Sequence, residues 1–141
     1  MAYFNQPITV TAATTLSQHP HAGNTLVLDS TTGRIITLPA STGKGDVYTL
    51  YIKTTVSSGS HVFQVANSTD VLNGSIGLTT DIAGSTLPTA ASTDTVTMNG
   101  STTGGLAGSW LRVTDVVAGF WMLEGSLNCT GTEATPFSAA V

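Results

Sequence analysis

At 141 residues the chain fits one domain, and its composition is unusual: 9% charged, 40% hydrophobic, and 40 residues of Ser or Thr. The apolar share is enough for a core and argues against disorder, and no apolar run approaches the ~20 residues that a membrane helix needs. A net charge of −4, with only Arg34, Lys44, Lys53 and Arg112 as cations and no basic run among them, argues against a nucleic-acid partner.

Thr and Val favour strands because a branched Cβ packs well on a pleated surface. With two Glu, two Lys and two Arg in the chain, little is left to cover the wet side of a helix. The expected fold is therefore all-β: a single-domain antiparallel β-sandwich or barrel of about 8–10 short strands. Residues 1–7 read as an extended N-terminal arm, 8–128 as the β domain and 129–141 as an extended C-terminal segment. The first residues lack the basic and apolar regions of a signal peptide, so synthesis in a cytoplasm is expected.

In chain order, Ile8 to Thr11 alternates as a short strand, and Ser17 to Asn24 reads as a loop. Thr25 to Leu28 and Arg34 to Leu38 form two strands that suggest a hairpin with a longer loop. The clearest strand is Val47 to Lys53, with Tyr48, Leu50 and Ile52 on one face and Val47, Thr49, Tyr51 and Lys53 on the other. His61 to Val65 alternates again. Asn73-Gly74 carries a hairpin signal, with a short strand from Ile76 to Thr80 after it. Asp81 to Asp94 reads as a long exposed connection, Thr95 to Met98 as a strand ended by Asn99-Gly100, and Thr102 to Gly108 as a loop. Ser109 to Val116 and Phe120 to Glu124 form a closing hairpin around Ala118-Gly119, and both tryptophans fall in it, which suggests a core anchor. No solenoid period emerges.

Few residues suggest chemistry. Gly43-Lys44-Gly45 lacks the glycine spacing and the following helix of a phosphate loop. Gly104-Gly105-Leu106-Ala107-Gly108 also leads into a strand, so it offers no helix N-terminus to a pyrophosphate. His19 and His21 could share a metal on an extended segment, yet His61 and Cys129 stand at no ligand spacing from them. Cys129 is the lone cysteine, which excludes an internal disulfide and reads as a small buried hydrophobe. The Asp residues fall mostly at strand ends and turns, where a carboxylate closes turns for structural reasons. Sequons at Asn67, Asn73, Asn99 and Asn128 follow from the wealth of Ser and Thr. No catalytic residue, cofactor site or metal site is expected, and the chain reads as a non-enzyme.

Ile35-Ile36-Thr37-Leu38-Pro39-Ala40 followed by Gly43 and Gly45, Leu72-Asn73-Gly74, and the Trp110-to-Glu124 hairpin with Gly125-Ser126-Leu127 carry a resemblance. In these segments the chain resembles small virion surface proteins of tailed bacteriophages, especially the capsid decoration or cement proteins. The resemblance implies a homo-oligomer, a trimer on a three-fold or quasi-three-fold axis, that binds the major capsid protein on the capsid surface of the virion. It also gives the N-terminal segment a role: Tyr3, Phe4 and Pro7 would form a capsid-binding arm that adds a strand to a capsid or sister subunit. Tyr51 and Trp121 are the residues expected at a subunit interface. The alternative is a tail-fibre or receptor-binding module for a host surface glycan, with Tyr48, Tyr51 and Trp121 as the available rings.

Overall fold

The computed structural model describes residues 6–141. Tyr3 and Phe4 of the expected arm lie outside the described residues, and Pro7 is exposed immediately before the first strand. Twelve strands follow: β1 (Ile8–Val10), β2 (Thr14–Thr15), β3 (Thr25–Leu28), β4 (Ile35–Thr37), β5 (Val47–Ile52), β6 (His61–Gln64), β7 (Val71–Thr79), β8 (Gly84–Pro88), β9 (Thr95–Met98), β10 (Trp110–Val117), β11 (Phe120–Asn128) and β12 (Phe137–Ser138). They make two packed sheets, a seven-stranded one in the order β1-β3-β5-β10-β11-β7-β8 and a five-stranded one in the order β12-β9-β6-β4-β2. The chain is thus an all-β, sandwich-like single domain.

The sheets are mixed, not antiparallel as the sequence suggested. Through the first six strands the chain changes sheet at every strand, so each strand lies parallel to the next but one. Ile8 stands beside Leu26 and Leu26 beside Leu50 in one sheet, while Thr14 stands beside Ile36 and Ile36 beside Phe63 in the other. The expected hairpin of β3 with β4 therefore does not form, because the two strands belong to different sheets. This coil leaves no sequence period, since the loops joining its strands differ in length. From β7 onward two antiparallel hairpins appear, β7–β8 and β10–β11, the second turning at Gly119 as expected.

Alternation along the strands builds the core between the sheets. On β5, Tyr48, Leu50 and Ile52 point inward and are buried, while Tyr51 is exposed. Leu111 and Val113 of β10, with Trp121 and Leu123 of β11, line the same side, facing Ile36, Phe63, Val96 and Met98 of the other sheet. Trp121 packs edge-on against Tyr48 with ring centroids 5.8 Å apart and planes at 68°. That placement corrects one expectation: Trp121 has no exposed surface, so it is a core ring and not an interface residue.

Three further segments differ from the sequence reading. Asn73-Gly74 lies inside β7, not at a turn, because Gly74 is needed for close approach: a Cβ there would collide with the Leu123 carbonyl of neighbouring β11. The stretch after Asp81 holds an edge strand, β8. The C-terminal segment is extended but docked. Cys129 N donates to Thr79 O (2.7 Å), Thr97 N to Pro136 O (2.8 Å), β12 pairs with β9, and Ala140 N donates to Asp94 Oδ1 (2.8 Å).

Candidate docking face

The inner faces of the two sheets bury each other, so the outer face of the seven-stranded sheet is set by the opposite parity of the same strands. Across it, β3, β5 and β10 place Val27, Tyr51 and Trp110 side by side. Further along, Thr114 of β10 stands between Val47 of β5 and Met122 of β11, and Met122 opposes Asn73 of β7. Near the hairpin tip Phe120 faces Val117 on one side and Val71 on the other. A β-bulge between Asp115 and Val117 adds a residue to β10 and leaves Val116 and Val117 both turned to solvent. Phe120 is 46% exposed, Met122 44% and Tyr51 39%, well above what a strand residue shows when a neighbouring layer covers it.

Charge on this side of the molecule is paired off. Arg112 Nη1 lies 3.2 Å from Glu124 Oε1 on the opposing strand, and its guanidinium sits 5.7 Å from the centre of the Trp110 ring. Lys53 Nζ, beyond the end of β5, lies 2.6 Å from Asp29 Oδ2, and that contact with the Thr54 hydroxyl holds the Asp29 carboxyl below its ordinary pKa. Exposed pairs of this kind add about 0–1 kcal/mol to stability. Their larger effect is to pair Arg112 of this face and the adjoining Lys53, leaving Val, Met, Phe, Tyr, Trp and Thr between them.

A buried carboxylate fixes the tip of that face. Asp115, inward on β10, accepts hydrogen bonds from Ser41 Oγ (2.7 Å), Thr42 N (2.8 Å), Gly43 N (2.9 Å) and Thr42 Oγ1 (3.1 Å). Burial alone would raise its pKa, but these donors outweigh burial and hold it below the ordinary value. Asp70 grips the same loop through Ser41 N (2.8 Å). The glycine turn at Gly43 and Gly45 thus serves a structural end: the Gly43 amide donates to a carboxylate of the chain itself, and Gly45 N to the Asp115 carbonyl (2.7 Å).

The other candidates from the sequence are dispersed. His61 is fully buried in β6, where Nδ1 accepts from Arg34 N (3.1 Å) and Nε2 has no hydrogen-bond partner among the described residues. Burial holds its pKa below the usual histidine value, against the opposing pull of the Ser30 backbone. His19 and His21 lie in the short segment Gln18–His21, which His19 interrupts with an extended backbone (φ −115°, ψ 125°), and His21 Nδ1 accepts from Ser17 N (3.0 Å). Among the described residues no three His, Cys, Asp or Glu side chains converge as metal ligands would. A cleft of about 380 Å³ beside Cys129 is lined by Thr80, Asp81, Ile82, Thr130 and Gly131, and burial pushes the Cys129 thiol up, away from the reactive thiolate. Of the remaining carboxylates, Asp46 accepts from Gln18, while Asp94 caps the C-terminal backbone.

Of the two expected interface residues, Tyr51 lies on the exposed sheet face and Trp121 in the core. The same face carries Trp110, Val117, Phe120 and Met122, none of them among the expected interface residues. A signal was present in β10, where Trp110, Arg112 and Thr114 share one parity while Leu111 and Val113 take the other. Comparison of the chain with protein-family models, with curated proteins and with solved structures finds no match.

Proposed function

We propose that this chain is a structural virion protein, a capsid decoration (cement) protein. In this reading it binds the outer surface of the major capsid protein lattice as a homo-oligomer, a trimer by the resemblance described above, and stabilises the head without catalysis. One observation carries the reading: a sheet face whose Arg112 and adjoining Lys53 are ion-paired, with exposed Tyr51, Val117, Phe120 and Met122 beside a partly buried Trp110. Scattered apolar residues are ordinary on a soluble surface, but contiguous ones on one face suit an interaction surface. Weak contacts of this kind, repeated by each copy of an oligomer, add up to stable attachment on a symmetric shell. The segment Met1 to Pro7, with Tyr3 and Phe4, is proposed as a second contact that adds a strand to a capsid or sister subunit.

The test is binding of the purified chain to undecorated shells, with Met122→Asp placed at the centre of the face. The variant is expected to keep its far-UV and near-UV circular dichroism and to lose binding by about tenfold or more, since a charge would be desolvated without a partner. Full occupancy by Met122→Asp would count against the face as the docking site. A second reading, a glycan-recognition module of a tail fibre, draws on the adjacent Tyr51 and Trp110 rings. Under it Tyr51→Ala would abolish retention on host surface polysaccharide while leaving shell binding absent in both proteins.

A further inference from the structure

Four strands form the edges of the two sheets. Three of them, β1, β2 and β12, are two or three residues long, whereas β8 runs for five. Long edges usually carry charges that block pairing with another chain. Here nothing from Ile82 to Thr93 is charged, and Ile82 at the tip of the β7–β8 hairpin is 98% exposed.

The hydrogen bonds at the two ends of the hairpin fix which backbone groups are free. Thr80 N donates to Ala83 O (2.8 Å) and Thr89 N to Gly74 O (2.9 Å), so residues 83, 85, 87 and 89 turn their amides and carbonyls toward β7. Gly84, Thr86 and Pro88 therefore turn theirs away from it. The outward edge offers two donors, Gly84 N and Thr86 N, and three acceptor carbonyls. Pro88 is tolerated because its missing N–H falls on the unpaired side.

We propose that β8 pairs antiparallel with β8 of a second copy about a two-fold axis at Thr86. Aligning the five-residue strand with itself about that axis sets Thr86 against Thr86 of the other copy, and Gly84 against its Pro88. Each Thr86 N–H then donates to the opposing Thr86 carbonyl and each Gly84 N–H to the opposing Pro88 carbonyl, so every outward donor finds an acceptor. The facing threonines make a β-branched cross-strand pair. A second copy is the occupant because the pattern is self-complementary, which an isologous contact requires. The contact does not depend on the capsid reading. It would join two copies, or two trimers if a three-fold contact also exists.

Sedimentation velocity on the full chain over a concentration series tests this, together with amide exchange. The natural chain is expected to associate reversibly, and Gly84 and Thr86 amides to gain protection as it does. Thr86→Lys sets two like charges face to face and is expected to weaken association by about tenfold or more, with relief at high salt. Pro88→Thr restores a donor opposite the Gly84 carbonyl and is expected to tighten it. Thr86→Val keeps the β-branched pair and should leave it unchanged. A chain that stays monomeric throughout, or an association that Thr86→Lys leaves intact, would overturn the proposal.

Discussion

From Ile8 to Gln64 the chain changes sheet at every strand, whereas from Trp110 to Asn128 it turns straight back on itself. In the coiled half each strand is paired with strands a full turn of the coil away, and its last two strands, β5 and β6, also with β10 and β9, so register there depends on distant residues. In the hairpin half β10 and β11 meet across two residues, and local turn chemistry sets the register. The halves are nonetheless one core, since β10 pairs with β5 and Trp121 packs on Tyr48. What differs is the order in which contacts can form: the hairpin can close early, while the coil must wait for long-range pairing.

The largest effect should come from the contact between the halves. Trp121→Ala is expected to cost about 3–5 kcal/mol, and Leu26→Ala in the coil about 2–5 kcal/mol, by denaturant unfolding. Both should shift a single transition followed by tryptophan fluorescence or far-UV dichroism. Two separable transitions would break the comparison into independent units. Next is Asp115, on the hairpin, which holds the Ser41-to-Gly43 loop leading into β5. Asp115→Ala is expected to cost about 2–3 kcal/mol because four donors lose one acceptor. Its carboxyl is held below the ordinary 3.8, so its contribution is complete above that pH and is lost as pH falls through the folded value. Asp115→Asn should accordingly flatten the acid limb of the stability curve.

His61 sharpens the comparison from the side of the five-stranded sheet. Its folded pKa lies below the ordinary 6.5, so the unfolded chain takes up the proton first. Stability is expected to be full above that pH and to decline as pH falls toward the folded value. His61→Gln should remove that slope while keeping an acceptor for Arg34 N, and an unchanged slope in the variant would assign it to another group. The smallest effect is expected at the surface pair: Glu124→Gln should change stability by less than about 1 kcal/mol.

The same contrast explains what could be read from the sequence. The β10–β11 hairpin, the buried parity of Tyr48, Leu50 and Ile52, and the end of β9 at Asn99-Gly100 were legible because period-2 alternation and glycine turns are local signals. The coil was not, since nothing in Thr25 to Leu38 says that its two strands join different sheets. Asn73-Gly74 misled because the glycine answers a close approach by Leu123 on a strand far along the chain, and not a turn. The outward position of Tyr51 followed from alternation. That of Trp110 did not, because a tryptophan in an apolar hairpin suggests core and outweighs the shared parity with Arg112 and Thr114, although the register with Tyr51 and the burial of Leu111 and Val113 turn it outward.

The most direct test of the proposed role is the number of copies of this chain in purified phage particles, measured by quantitative mass spectrometry against the major capsid protein. A cement protein attached by many repeated weak contacts is expected at on the order of hundreds of copies, lost together when Met122→Asp replaces the natural chain. A handful of copies per particle, or none, would contradict it.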